Sequence, residues 1–206
     1  MELILVRHAE PVRIDSHESA GVPADPGLTD RGRAQADRVA AWLAFEPIDA
    51  LLVSPKRRAL ETADPIAKAC GLEHVIAPDI VEYDARADHY IPIEELRAND
   101  DPRFRAMVEG RWEDFGGEPP ETFRARIAGA LDRIVAEHPG ERVVAVCHGG
   151  VINIALALVA GLDRLLWFDP VYTSVSRVVA SRSGVRSVAS INDTGHLVAT
   201  RERLVG

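Results

Sequence analysis

Apolar positions along this chain alternate between two spacings, and the alternation sets the expected architecture. Short unbroken apolar runs lie within "ELILVR" (2–7), "DALLVS" (49–54) and "ERVVAVC" (141–147). Runs of that length without a polar interruption suit central parallel strands covered on both faces. After the first strand the spacing becomes helical: "GLTDRGRAQADRVAAWLAF" (27–45) puts Ala34, Val39, Ala40 and Leu43 on one face, with Thr29 or Asp30 as N-cap. After the second, Ser54 reads as an N-cap and Pro55 as the first helical residue, where a missing N–H costs nothing. After the third, "HGG" turns into the helix "VINIALALVAGL" (151–162). Near the end, "SVSRVVASR" and "VRSVASIN" flank Gly184 and read as an antiparallel hairpin closing the sheet.

Strands followed in turn by helices predict one α/β domain over 1–206, a three-layer α/β/α sandwich on a mostly parallel sheet with an antiparallel edge. Residues 84–121 break the pattern. They are rich in charge and carry Pro92, Pro102, Pro119 and Pro120, with helical fragments "IEELRA" and "RFRAMVEG" but no strand. Long structureless loops are uncommon in compact domains, so this stretch is expected to be a helical insertion, a cap over the active-site edge of the sheet.

Composition then removes several functions. A net charge of −8 is wrong for a general nucleic-acid binder, so any positive field must come from a few arginines gathered in a pocket. The apolar runs fall short of the roughly 20 residues of a membrane span. The N-terminus has no basic flank leading into an apolar stretch, and a cytoplasmic protein is expected. Cys70 and Cys147 form no C-x-x-C pair and read as core thiols. No H-E-x-x-H, P-loop or carboxylate cluster is present, so neither metal nor cofactor is expected.

The candidate chemistry lies at the strand ends. Ligands of open α/β sheets bind outside the carboxyl ends of the strands, where His8, Ser54 and His148 fall. Arg7 places a planar fork of donors beside the His8 imidazole. Arg58 sits in the first turn of a helix, unfavourably for the macrodipole unless an anion lies between them. Lys56 and Arg57 read as solvated charges. Gly149 and Gly150 permit a tight turn and close approach of a ligand to backbone N–H groups at a helix N-terminus.

Taken together, "LVRHAE", "LTDRGRAQA", "SPKRRALETA", "GEPPETFRARI", "VVAVCHGGVI" and "INDTGHL" resemble the histidine phosphatase superfamily, the phosphoglycerate-mutase-like family, over nearly the whole chain. The resemblance implies a metal-independent phosphatase that hydrolyses phosphomonoesters. His8 would be the nucleophile that becomes phosphorylated, Arg7, Arg58 and His148 would grip the phosphoryl group beside Gly149, and an acid after the third strand would protonate the leaving oxygen. Glu82 is favoured for that acid, with Asp84 second; either needs a pKa raised by burial to donate near pH 7. A neutral imidazole, with an unperturbed pKa of about 6.5, is a competent nucleophile.

The chain also departs from that pattern. Where the family often carries Asn or Thr after the first histidine, "AEPVRIDS" offers Pro11, Arg13 and Ser16, and "EYDARADHY" does not match the segment of the true mutases. Phosphatase is therefore favoured over mutase-type phosphoryl transfer, with a weakly catalytic phospho-ligand binding module as the non-enzymatic rival. The expected partner is a small phosphorylated metabolite, with no nucleic acid and no membrane; self-association stays open. His89, Tyr90, Arg97, Arg103 and Arg105 are candidates for contacting the rest of the substrate. His17, His74 and His138 read as ordinary loop or helix-end residues, and His196 has no derivable role.

Overall fold

A computed structural model describes residues 1–15 and 22–200, without the side chains of 199 and 200. Its elements are β1 (Glu2–Arg7), α1 (Asp30–Leu43), β2 (Ala50–Val53), α2 (Arg57–Cys70), β3 (His74–Ile76), α3 (Ile93–Ala98), α4 (Pro102–Val108), α5 (Pro120–Glu137), β4 (Arg142–Cys147), α6 (Gly149–Ala160), β5 (Val175–Ala180) and β6 (Arg186–Asp193). The strands form one six-stranded sheet in the order β3-β2-β4-β1-β5-β6. Strands β1 to β4 run parallel, and β5 and β6 are antiparallel. The hairpin expected around Gly184 is present, and that glycine turns the chain at φ +85°.

The unbroken apolar runs are explained by cover on both faces. In β1, Leu3 and Leu5 pack with Phe123, Ile127 and Leu131 of α5 and Ile152 and Leu156 of α6. The alternate residues Ile4 and Val6 pack with Val39 and Leu43 of α1 and Ala59, Ala63 and Ile66 of α2. Successive side chains of a strand point to opposite faces, so a strand between two helical layers needs apolar residues at every position. This is the three-layer α/β/α arrangement. None of its described helices is long and apolar enough to cross a membrane.

Two local expectations are corrected. In α1 the buried face is Gly32, Gln35, Ala36, Val39, Ala40 and Leu43, and Ala34 is exposed. The helix lies against the chain leaving β1: a Cβ at position 32 would come 2.1 Å from Glu10 O, and Gln35 Oε1 accepts from Glu10 N at 3.0 Å. Thr29, not Asp30, is the N-cap and accepts from Gly32 N at 2.9 Å. Ser54 does not cap α2, which begins at Arg57. That N–H is capped from another segment, by Asp25 Oδ1 at 2.9 Å, which frees the Ser54 hydroxyl for a different partner.

Between Asp84 and Glu121 the chain forms α3, α4 and a short 3₁₀ turn at Trp112–Phe115. Trp112 is 0% exposed, stacks on Tyr83 with centroids 4.2 Å apart, and donates from Nε1 to Met107 O at 2.8 Å. These contacts tie the segment to the core beside the carboxyl edge of the sheet.

Candidate active site

The register of the central strands brings the two histidines together. Arg7 of β1 pairs with Cys147 of β4, so His8 and His148 leave the sheet side by side with ring centroids 5.2 Å apart. Val53 of β2 pairs with Val146, which brings Ser54 alongside, its Oγ 2.6 Å from His148 Nε2. His8 Nδ1 is 2.8 Å from Ala9 O. A carbonyl only accepts, so Nδ1 carries the proton and Nε2 keeps the lone pair. Burial, then Arg58 and Arg7, hold the His8 pKa well below its ordinary value, and the ring is neutral near pH 7. His148 is held down likewise by burial and then by Arg58.

Two buried guanidinium groups flank the imidazoles. Arg7 is 5% exposed and Arg58 1% exposed. Arg7 Nη1 donates to Glu94 Oε1 at 2.6 Å and to Pro170 O at 2.5 Å, and its Cζ lies 4.0 Å over the Tyr172 ring. Arg58 lies 4.6 Å over the Tyr90 ring, with Nη2 3.7 Å from Asp84 Oδ1. Arg7 Nε, Arg58 Nε and His148 Nδ1 are all buried without a hydrogen-bond partner among the described residues. The two Nε groups are buried donors, costly unless an acceptor meets them, and two such guanidinium groups in one place suit an oxyanion.

Glu82 follows β3 and is 8% exposed. Its Oε2 accepts from Gly150 N at 2.8 Å and its Oε1 from Tyr83 N at 3.2 Å. Burial, then the neighbouring Asp84, push its pKa up from 4.5 to about 7, against the opposing pull of those N–H groups and Arg58. A Cβ at position 150 would lie 2.4 Å from Glu82 Oε1 and 3.0 Å from Tyr83 Cδ1, so a side chain there would displace the Glu82 carboxyl. At Gly149 a Cβ would lie 3.8 Å from Arg7 Nε, which places this backbone beside the arginine.

Arg7, His8, Arg58, Glu82, Asp84, Tyr90 and Gly149 share one cleft of about 600 Å³, part of it open to solvent. Tyr90 is thus brought in, whereas His89 and Arg103 line a smaller adjoining pocket. Arg97 is exposed and ion-paired with Asp169, and Arg105 is exposed. Arg13 is exposed and pairs with Asp15 and Glu95; Pro11 is buried in a bridge to Leu28; Ser16 and His17 lie outside the described residues. Cys147 is buried and Cys70 half-buried, while His74 and His138 sit beside Asp64 and Glu141. His196 stacks on Trp42 and lies 3.1 Å from Thr173 Oγ1. Among the described residues no group of three or more His, Cys, Asp or Glu is placed to hold a metal ion.

Tyr172 and Glu94 were missed as members of this site, and Ser54, placed at this edge but read as an N-cap, was missed as the partner of His148. Ser54 had a signal, its place at a strand end level with "CH". Tyr172 had a weaker one: β5 runs antiparallel to β1, with Val175 opposite Val6, so the residues entering β5 must meet those leaving β1. Glu94 had none, because its contact with Arg7 spans 87 positions of sequence.

The geometry agrees with what the chain resembles. A family model described as the histidine phosphatase superfamily, branch 1, matches residues 3–194. The chain is 32% identical over 165 residues to "Phosphoserine phosphatase 1" of Hydrogenobacter thermophilus, covering 79% of this chain and 78% of that protein. It is 31% identical over 199 residues to "Bifunctional protein Rv2228c" of Mycobacterium tuberculosis, 95% of this chain but 54% of that protein, and so spans about half that relative's length. In fold it is similar to a solved phosphoserine phosphatase of Entamoeba histolytica in complex with 3-phosphoglyceric acid, with a TM-score of 0.72 at 23% identity over 96% of this chain and 99% of that one. The match takes in nearly every residue of the sheet, from β1 through β6, and the chain belongs to the histidine phosphatase superfamily as a phosphatase-type enzyme.

Proposed function

We propose that this chain hydrolyses small phosphomonoesters by two displacements at phosphorus, with a phosphoryl group held covalently on His8 between them. The observation that carries the reading is a neutral His8, its Nε2 lone pair free, set between two buried arginines with unpartnered Nε donors. In the first step Nε2 attacks phosphorus, the P–O bond to the leaving alcohol breaks, and Glu82 gives its proton to the departing oxygen. In the second, Glu82 as carboxylate takes a proton from water, the water oxygen attacks phosphorus, and the P–N bond breaks to release phosphate and restore His8. A pKa of about 7 suits both roles near neutral pH. Glu82 is preferred to Asp84 on burial and on its contact with Gly150.

The charge that spreads over the equatorial oxygens during transfer is met by Arg7, Arg58 and the backbone at Gly149. With the Ser54 hydroxyl donating to His148 Nε2, the imidazole N–H stands at Nδ1 for another phosphoryl oxygen. Residues 84–121 act as a cap that shapes the leaving-group side. Relatives named for phosphoserine support a small phosphorylated metabolite as substrate, and the acidic composition and ordinary helices suit a cytoplasmic enzyme that binds neither nucleic acid nor membrane.

The test is turnover of an aryl and an alkyl phosphate in EDTA by wild type and His8→Ala, with rapid quench and alkaline analysis for phosphohistidine. His8→Ala is expected to lose turnover and the phosphoenzyme; normal activity in that variant would overturn the mechanism.

A further inference from the structure

The cleft has two chemically distinct halves. The sheet edge supplies Arg7, His8, Arg58, Glu82 and the glycine turn, whereas Ile91, Ile93 and Met107 from residues 84–121 and Leu166 and Phe168 from the loop after α6 supply an apolar wall. Asn153 fixes that wall to the phosphoryl end. Its Oδ1 accepts from Trp167 N at 2.9 Å and Phe168 N at 3.2 Å, and its Nδ2 donates to Phe168 O at 3.1 Å and Gly149 O at 3.0 Å. Four hydrogen bonds from one buried side chain make the apolar surface preformed, not assembled on binding.

The charges of the cleft are equally asymmetric. Among the described residues its only arginine or lysine side chains are Arg7 and Arg58, both assigned above to the phosphoryl group. The other charged residues in its wall besides Glu82 are Asp84 and Asp169, and Asp169 already holds Arg97. Glu94 stands on Arg7 with a second contact from the Tyr172 hydroxyl at 3.1 Å. A carboxylate on the leaving group would be desolvated against hydrocarbon, with no arginine or lysine in the described lining of this cleft beyond the two that hold the phosphoryl group. That is the costly case for a buried charge, whereas an apolar group gains by leaving water.

We infer that this cleft selects phosphomonoesters of uncharged, apolar alcohols and discriminates against leaving groups that carry a carboxylate. The inference rests on the cleft being the phosphatase site proposed above.

The experiment compares kcat/KM for 2-phenylethyl phosphate, glycerol 3-phosphate and 3-phosphoglycerate, all of which release a primary alkoxide, so that differences report on binding and not on leaving-group reactivity. The phenylethyl ester is expected to exceed glycerol 3-phosphate by about tenfold or more, with 3-phosphoglycerate lowest. Phe168→Ala should reduce the phenylethyl-to-glycerol ratio about tenfold. Ile93→Arg, which adds a cation to the wall, should move the phenylethyl-to-phosphoglycerate ratio about tenfold toward phosphoglycerate. Turnover that requires His8 but favours 3-phosphoglycerate overturns the inference alone. Absence of His8-dependent turnover with all three esters overturns it together with the reading beneath it. The expected wild-type ranking unmoved by both variants overturns the assignment of selectivity to this wall.

Discussion

Glu82 couples activity to stability in opposite directions, and Glu82→Gln separates them. The folded protein holds this carboxyl at a pKa of about 7, against an ordinary value of 4.5. Between those two pH values the folded state keeps a proton that the unfolded chain has released, so the unfolded state binds fewer protons and stability falls as pH rises. At about 1.4 kcal/mol per pKa unit the displacement corresponds to about 3 kcal/mol, fully expressed above pH 7 and absent below pH 4.5. Glutamine keeps an acceptor for Gly150 N but cannot ionise, so the variant lacks this loss. For a chain of this length, 3 kcal/mol is roughly 6 to 12 °C in melting temperature. Melting temperatures of the two proteins should therefore diverge in the variant's favour from pH 5 to about 7 and keep a constant offset from there to pH 9. Alkyl phosphate hydrolysis by the same variant should fall about 10²- to 10⁴-fold, the range for loss of a general acid. Aryl phosphates, whose leaving oxygens need little protonation, should lose far less. Parallel pH dependences of melting would refute the argument that burial makes Glu82 an acid.

Other outcomes follow from the same geometry. Arg58→Ala, which removes a buried cation beside His8, should lower kcat/KM about 10²- to 10³-fold and weaken vanadate binding, checked by steady-state kinetics and competition. Gly150→Ala forces a Cβ to 2.4 Å from Glu82 Oε1 and should depress alkyl more than aryl phosphate hydrolysis; an equal loss on both would place the damage elsewhere. Trp112→Ala, emptying a fully buried site against Tyr83 and Phe123, should destabilise by about 3–5 kcal/mol in denaturant titration.

Much of the architecture was legible because hydrophobic period is a local signal. The unbroken runs of β1, β2 and β4 announce strands covered on both faces, and a strand end in such a sheet is where a ligand binds. His8, Arg58 and His148 could therefore be assigned to one edge before any contact was known. Local signals failed where a distant partner decided the outcome. Ser54 has every local feature of an N-cap, yet Asp25 takes that role and His148 takes its hydroxyl. Ala34 stands about half a turn around α1 from Leu43, off the face that Val39, Ala40 and Leu43 share, and is exposed, while Gly32 and Gln35 take the contact with Glu10.

By itself, then, the sequence determined the layers, the strands that end in histidine and the sheet edge to which they deliver it, because hydrophobic period and turn chemistry act over a few residues. Tertiary structure alone decided the rest. The β1–β4 register set the spacing of the two imidazoles, and burial raised the Glu82 pKa. Folding of residues 84–121 carried Glu94 to Arg7 and an apolar wall to face the site. Desolvation and side-chain pairing depend on what surrounds a group in space, and no window of neighbouring residues contains that.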